Sequence, residues 1–392
     1  MSPAGIVFLK ECRESLRDRR VLLNALVLGP LLTPLLFMVM MHMIVGRELE
    51  KAERPLPVAV VGAQYAPNFV AALRQMGVEP RPSIPDPEAA VREQREDLVL
   101  RIDAQFGASW RAGRPAQVEL LFDSSRQDVR GEVERLQAIL EGYSSRTGSL
   151  RLLARGVAPT VVSPLVVASR DLASPQARGA QLLGILPYFL VLTVLIGGMW
   201  LAIDSTAGER ERQSLEPLLV NPVGRGHVLA GKMLATAAFS TASLFLGLLA
   251  FYVAGRLMPD DGSGLGLSLG LPFVALAFAD MLPLVLLIAA AQVWIASYAR
   301  SFREAQTYLG LAQLVPLIPS IVMMAMPLRA QGGLLLVPLF GQQVTILALL
   351  RGQPAQPLAM ALGSAATLLA AAGIFALTLR LYRSERVAIA GY

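Results

Sequence analysis

QLLGILPYFLVLTVLIGGMWLAI, residues 181–203, runs without one charged side chain. A helix of about 20 apolar residues crosses the hydrocarbon core of a bilayer, so this stretch predicts a membrane span. Five more stretches read the same way: residues 21–45, 228–254, 271–296, 308–326 and 357–381. The piece GLLLVPLFGQQVTILALL (333–350) is too broken for a seventh span. It reads as a re-entrant or interfacial segment, because irregular backbone at membrane depth must be sheltered by protein. Composition agrees: the chain is 54% hydrophobic and 16% charged, with mean hydropathy +0.53. Soluble domains carry about 25% charged residues.

Lys and Arg flank these spans unevenly, which predicts orientation. Lys10, Arg13, Arg17, Arg19 and Arg20 precede span one. Arg210, Arg212, Arg225 and Lys232 lie between spans two and three, and Arg300 and Arg303 between four and five. Arg380, at the end of span six, and Arg383 and Arg386 beyond it end the chain. All fall on one side, read as the cytoplasm, with both termini inside a multi-pass inner-membrane protein. This bias explains the pI of about 9.8 without nucleic acid. Span one is too long for a cleaved signal peptide and lacks an A-x-A site. The single cysteine, Cys12, and two distant histidines, His42 and His227, exclude an internal disulfide and a Cys- or His-based metal site.

Residues 1–20 read as a cytoplasmic amphipathic helix in the membrane interface, with apolar Ile6, Leu9 and Leu16 opposed to arginine. Residues 21–45 form span one. Residues 46–180 change character: both charge signs return, punctuated by Pro and Gly. Strands are expected at 57–63, 97–103, 117–125 and 160–169, and helices at 66–77 and 127–155. The expected architecture is therefore an all-α polytopic membrane protein of six spans, with an extracytoplasmic α/β domain inserted between spans one and two. Residues 181–392 carry spans two to six.

GHVLAGKM (226–233) matches the phosphate-loop spacing G-x-x-x-x-G-K, but Met233 replaces the Ser or Thr that would hold magnesium. The stretch follows no strand and runs straight into span three. No cofactor site is read on this chain, and Lys232 is expected to anchor span three in the headgroups. The segment before it, GERERQSLEPLLVNPVGRGHVLAGK (208–232), reads as a charged turn, a short amphipathic helix and a break at Pro222. On physics alone it either docks a cytoplasmic partner or merely connects two spans.

That segment resembles the cytoplasmic coupling segment of type-2 ABC exporter permeases through Glu211, Arg212, Leu215, Glu216, Leu218, Leu219, Val220, Pro222, Val223, Arg225, Leu229, Ala230, Gly231 and Lys232. A basic interface helix, one span, a large outer domain and five further spans resemble the sodium-efflux branch, as does SFREAQTYL (301–309). The resemblance implies a permease without its own motor. It implies a second permease copy, identical or related, and separate ATP-binding subunits that hold ATP-Mg. It places coupling in 205–227, with Glu211, Arg212, Leu215, Glu216, Leu218, Leu219, Pro222 and Arg225 at the ATPase contact.

Polar groups inside spans are costly and therefore candidates for the pathway. Asp280, in the outer half of span four, is the clearest; Gln292, Gln313 and Thr193 follow and could equally be interhelical glue. Asp280 with Thr or Gln oxygens suits sodium, while proline-rich span ends and many small residues suit a lipid-like or drug-like cargo. An intramembrane enzyme would need a catalytic pair or metal cluster at depth, which the spans lack. A motor-free channel or adaptor, whose outer domain binds another protein, is the remaining alternative.

Overall fold

The computed structural model describes residues 2–126, 129–161, 184–214, 223–257, 269–326 and 332–383. The expected strand from 162 onward lies outside these residues, as do Leu215, Glu216, Leu218, Leu219 and Pro222. The chain forms two compact units, residues 44–170 and residues 1–43 with 171–392.

The unit 44–170 holds a four-stranded sheet in the order β2-β1-β3-β4. Its strands are β1 (Leu56–Val61), β2 (Val78–Arg81), β3 (Val99–Ile102) and β4 (Val118–Leu121). β1 pairs parallel with β2 and β3, and β4 closes the other edge antiparallel. Both faces of β1 are mostly buried, so it reads as a continuous Val run rather than an alternating one. β2 (VEPR) escapes a sequence reading because it is polar and contains Pro80. Proline is tolerated there because β2 is an edge strand. Helices Pro67–Gln75 and Arg130–Leu153 supply Phe69, Leu73, Val133 and Leu136 to the core. Phe69, Phe106, Trp110 and Tyr143 stack in sequence across it, and Arg151 caps the Trp110 face at 4.3 Å.

Among the described residues, six helices are long and apolar enough to cross a membrane. They cover Leu23–Met40, Leu186–Glu211, Arg225–Arg256, Leu271–Tyr298, Phe302–Met323 and Pro357–Arg383. Span two does not stop at Ile203. It passes through a π turn at Asp204–Gly208 and continues to Glu211. The stretch read as a charged turn is thus the last turn of a membrane helix. Gln213 ends it in the left-handed region (φ 55), with Ser214 N donating to Glu209 O and Gln213 N to Arg210 O. Those are the paired bonds of a Schellman cap.

Spans two and three touch along a seam of small residues. A Cβ on Gly197 or Gly198 would collide with Ser243 or Ser240, and one on Gly247 would meet Thr193 Cγ2 at 2.8 Å. Close backbone approach then lets side chains reach the facing main chain. Ser243, Ser240 and Gln292 donate to the consecutive carbonyls of Thr193, Val194 and Leu195, at 3.1, 3.0 and 2.6 Å.

Span five is broken. Helices Phe302–Ala312 and Leu317–Ala325 flank a turn that ends at Pro316. Residues 332–350 form a 3-10 turn (Gly332–Leu336) and a helix (Phe340–Leu350). Eleven residues rise only about 16 Å, too little to cross. Gln342 and Gln343 on this helix serve the irregular backbone around it. Gln343 Nε2 donates to Pro316 O at 2.9 Å, and Gln342 Oε1 accepts from Leu339 N at 2.8 Å.

The N-terminal helix α1 spans Pro3–Arg17, capped by Ser2, whose Oγ accepts from Gly5 N. Its buried stripe is Val7, Glu11 and Ser15, while Ile6 and Leu16 are exposed. The simple division into an apolar and an arginine face is therefore corrected. The face turned to the protein is partly polar, because a specific charged partner waits for it.

Candidate functional site

That partner is Lys232. Its side chain is fully buried (0% exposed), so the expected headgroup anchor is not what it forms. Its ammonium has three donors, and all three are used. It donates to Glu11 Oε1 at 3.1 Å, Glu209 Oε2 at 2.6 Å and Ser205 O at 2.6 Å. The second oxygen of Glu209 accepts from Lys10 Nζ at 2.9 Å, and Lys10 also pairs with Glu11 and Glu14. Two lysines and two buried glutamates balance, which a buried ion cluster requires. Burial alone would lower the Lys10 pKa. The hydrogen bond with Glu209 and the charges of Glu11, Glu209 and Glu14 outweigh it and raise the pKa above the ordinary lysine value.

The G-x-x-x-x-G-K spacing now has a structural cause. Residues 226–232 are the first turns of the span-three helix. A Cβ on Gly231 would stand 2.6 Å from Val7 Cβ and 2.8 Å from Ala4 O, so only glycine lets α1 lie this close. Lys232, next in line, then reaches Glu11. A glycine for approach and a lysine for an ion pair imitate a phosphate loop in sequence alone.

Four further charges are also assigned. Arg210 donates to Ser297 O at 2.7 Å and Ala299 O at 2.9 Å, at the end of span four. Glu211 Oε2 accepts from Phe302 N at 2.8 Å, at the start of span five. Arg212 pairs with Asp204 at 2.8 Å. Arg225 donates to Tyr382 O at the end of span six at 2.5 Å. These contacts gather α1, the ends of spans two, four and six and the starts of spans three and five at one end of the bundle. The described chain stops at Ser214, just past these contacts, and resumes at Val223.

A profile of ABC-2 family transporter proteins matches residues 20–380. The chain belongs to the ABC-2 transporter family. It is 26% identical over 317 residues to the ABC transporter permease protein NatB of Bacillus subtilis, covering 80% of each chain. No solved structure matches it. As an ABC-2 permease, it is a multi-pass transmembrane subunit of an ABC transporter, and the family implies an ATP-binding partner chain.

Within this ABC-2 permease no hydrogen bond among the described residues joins the four predicted pathway residues to one another. Thr193 Oγ1 bonds Thr33 Oγ1 of span one at 2.7 Å. Gln292 Nε2 is engaged with Leu195 O, and its Oε1 is buried without a partner among the described residues. Gln313 Nε2 lies 3.3 Å from Met199 Sδ, in the break of span five. Asp280 is 4% exposed, and its Oδ2 has no hydrogen-bond partner among the described residues. Sequence reasoning missed Glu11, Glu209 and Arg210. The available signal was a glutamate at i+4 from Val7 and i−4 from Ser15 on one helix face, and a charged tetrad too close to a span end to be a free loop.

Proposed function

We propose that this permease subunit exports its cargo, driven by a separate ATP-binding subunit that docks at residues 205–227. The observation that supports this most is the tetrad Glu209–Arg212. It precedes residues 215–222 in the chain by two residues and ties the end of span two to α1 and to spans three, four and five. Partner motion applied to that segment would meet a stiff junction rather than a slack loop. Leu215, Glu216, Leu218 and Leu219 would enter the partner's groove, with Pro222 and Arg225 setting the return into span three. The charged end then faces the cytoplasm, residues 46–180 lie outside, and a second copy completes the pathway. Residues 333–350 are a re-entrant segment whose glutamines shelter irregular backbone from lipid.

The cargo is sodium or a lipid-like or drug-like molecule, and Asp280 is the residue placed to meet it. An ionisable group at membrane depth costs ~2.5–3.5 kcal/mol on insertion scales, which favours a role beyond packing. Asp280→Asn is expected to lower transport while leaving partner binding intact; undiminished transport would return Asp280 to packing.

The deciding experiment is gentle extraction of the tagged permease with identification of co-purifying chains and an ATPase assay. A soluble chain carrying a complete G-x-x-x-x-G-K-[ST] loop, with hydrolysis, supports the proposal. Replacing Glu216 and Leu219 together should then leave insertion intact but uncouple hydrolysis from transport. Normal transport in that stably expressed variant would sink the coupling assignment.

A further inference from the structure

Arg210 and Glu211 are adjacent residues of opposite charge, and each meets a helix end of the opposite sign. The last carbonyls of a helix lack internal partners and carry the negative end of its dipole. Arg210 fills two such carbonyls, Ser297 O and Ala299 O, where span four ends at Tyr298. The first N–H groups of a helix are the positive counterpart. Glu211 accepts the first of these in span five, from Phe302. Only residues 299–301 separate the two helices, so one turn of span two grips both sides of a tight corner. Beneath the grip lies an apolar cluster of Met199, Ile203 and Ala207 from span two with Ala299 of the corner itself and Ala296 and Leu309 from its two helices. Trp200 packs on Phe302 with ring centroids 5.8 Å apart.

We infer that Arg210 and Glu211 are positioning residues that carry motion from the coupling segment into the corner between spans four and five. The stroke is thus delivered to that corner as well as to span three. This rests on the proposed coupling role of 205–227. Charge-assisted bonds to main-chain atoms suit the task, since they fix the corner whatever side chains it carries. Displacing Glu209–Arg212 by an ångström without moving 297–302 would break three of these bonds and open a packed cluster. Packed elements of this kind shift as units rather than stretch.

The test uses the full permease with its co-expressed ATP-binding chain in nanodiscs, in a Cys12→Ser background. An environment-sensitive fluorophore is placed at Gln213→Cys or at Arg303→Cys, both exposed positions. Emission is compared without nucleotide and after trapping with ATP and vanadate. Both sites should respond in the otherwise unsubstituted protein. Arg210→Ala should abolish the response at 303 and keep the response at 213. Arg210→Lys, able to reach one carbonyl, should keep part of it. Glu211→Ala, at an exposed position that folding tolerates more easily, should weaken the response at 303, and Glu211→Gln, which retains an acceptor, should restore it. An undiminished response at 303 in both alanine variants overturns the inference. A response at 213 alone in the unsubstituted protein overturns it too, while leaving the coupling role standing. Silence at both sites overturns the coupling role and this inference with it.

Discussion

A lysine with no exposed surface is sustained only by complete pairing. Removing one member of a buried ion cluster leaves uncompensated charge and costs about 3–5 kcal/mol. Lys232→Met should therefore lower the melting temperature sharply in detergent. Lys232→Met with Glu11→Gln, which leaves Glu209 to Lys10, should recover a good part of the loss. Equal melting temperatures for the single and double variants would show that charge balance is not what holds the site. The neighbouring position makes a separate point. Cys12 on α1 is partly buried, and burial, then the Glu11 charge, pushes its thiol pKa up, so it should react slowly with maleimide at neutral pH. Gly231→Val, by forcing α1 off span three, should speed that labelling; an unchanged rate would mean that α1 tolerates the side chain. Lys232 itself was visible in the sequence but assigned to headgroups. Its partners lie 23, 27 and 221 residues away, beyond any local pattern.

At the scale of elements, hydropathy marks where a helix is apolar, not where it ends. Span two was legible from Leu186 to Ile203, yet it continues through a π turn into charged residues, because those charges find partners on neighbouring helices. Span five was legible as one apolar stretch, but Pro316 divides it. The parallel strands β1 and β3 were legible, β1 from its valines and β3 from its alternation, whereas β2 was hidden by its polarity and proline. The broken span offers its own test. Gln343 is fully buried, and its side chain joins Pro316 O and Ser320 Oγ at 2.9 and 2.8 Å. Gln343→Leu strands these groups at a cost of about 1–3 kcal/mol. Increased proteolysis near Pro316 would report it; a wild-type digestion pattern would argue that another group takes over.

For the whole molecule, the sequence revealed the six apolar spans found among the described residues and the family resemblance, because both are written in composition and in one motif. The junction at the charged end was not legible, since it joins residues from six helices that share no local spacing. Its geometry makes a prediction about sidedness. In the Cys12→Ser background, Gln356→Cys, at the start of span six, should react with an impermeant maleimide on intact cells. Gln213→Cys and Arg303→Cys should react only after permeabilisation. The reverse pattern would turn the molecule over in the membrane, and with it the proposed direction of transport.

The Glu11–Lys232 contact also sets a schedule for synthesis. Glu11 leaves the ribosome 221 residues before Lys232 does. At roughly 5–20 residues per second, that is about 11–44 s of translation. During this interval Glu11 has Lys10 beside it but not Lys232, and the whole 44–170 unit is made before that second lysine arrives. The N-terminal helix is thus among the first elements translated, yet it waits for span three before it can be fixed. Nascent chains arrested before residue 232 should keep Cys12 open to labelling, and chains arrested well beyond span three should close it.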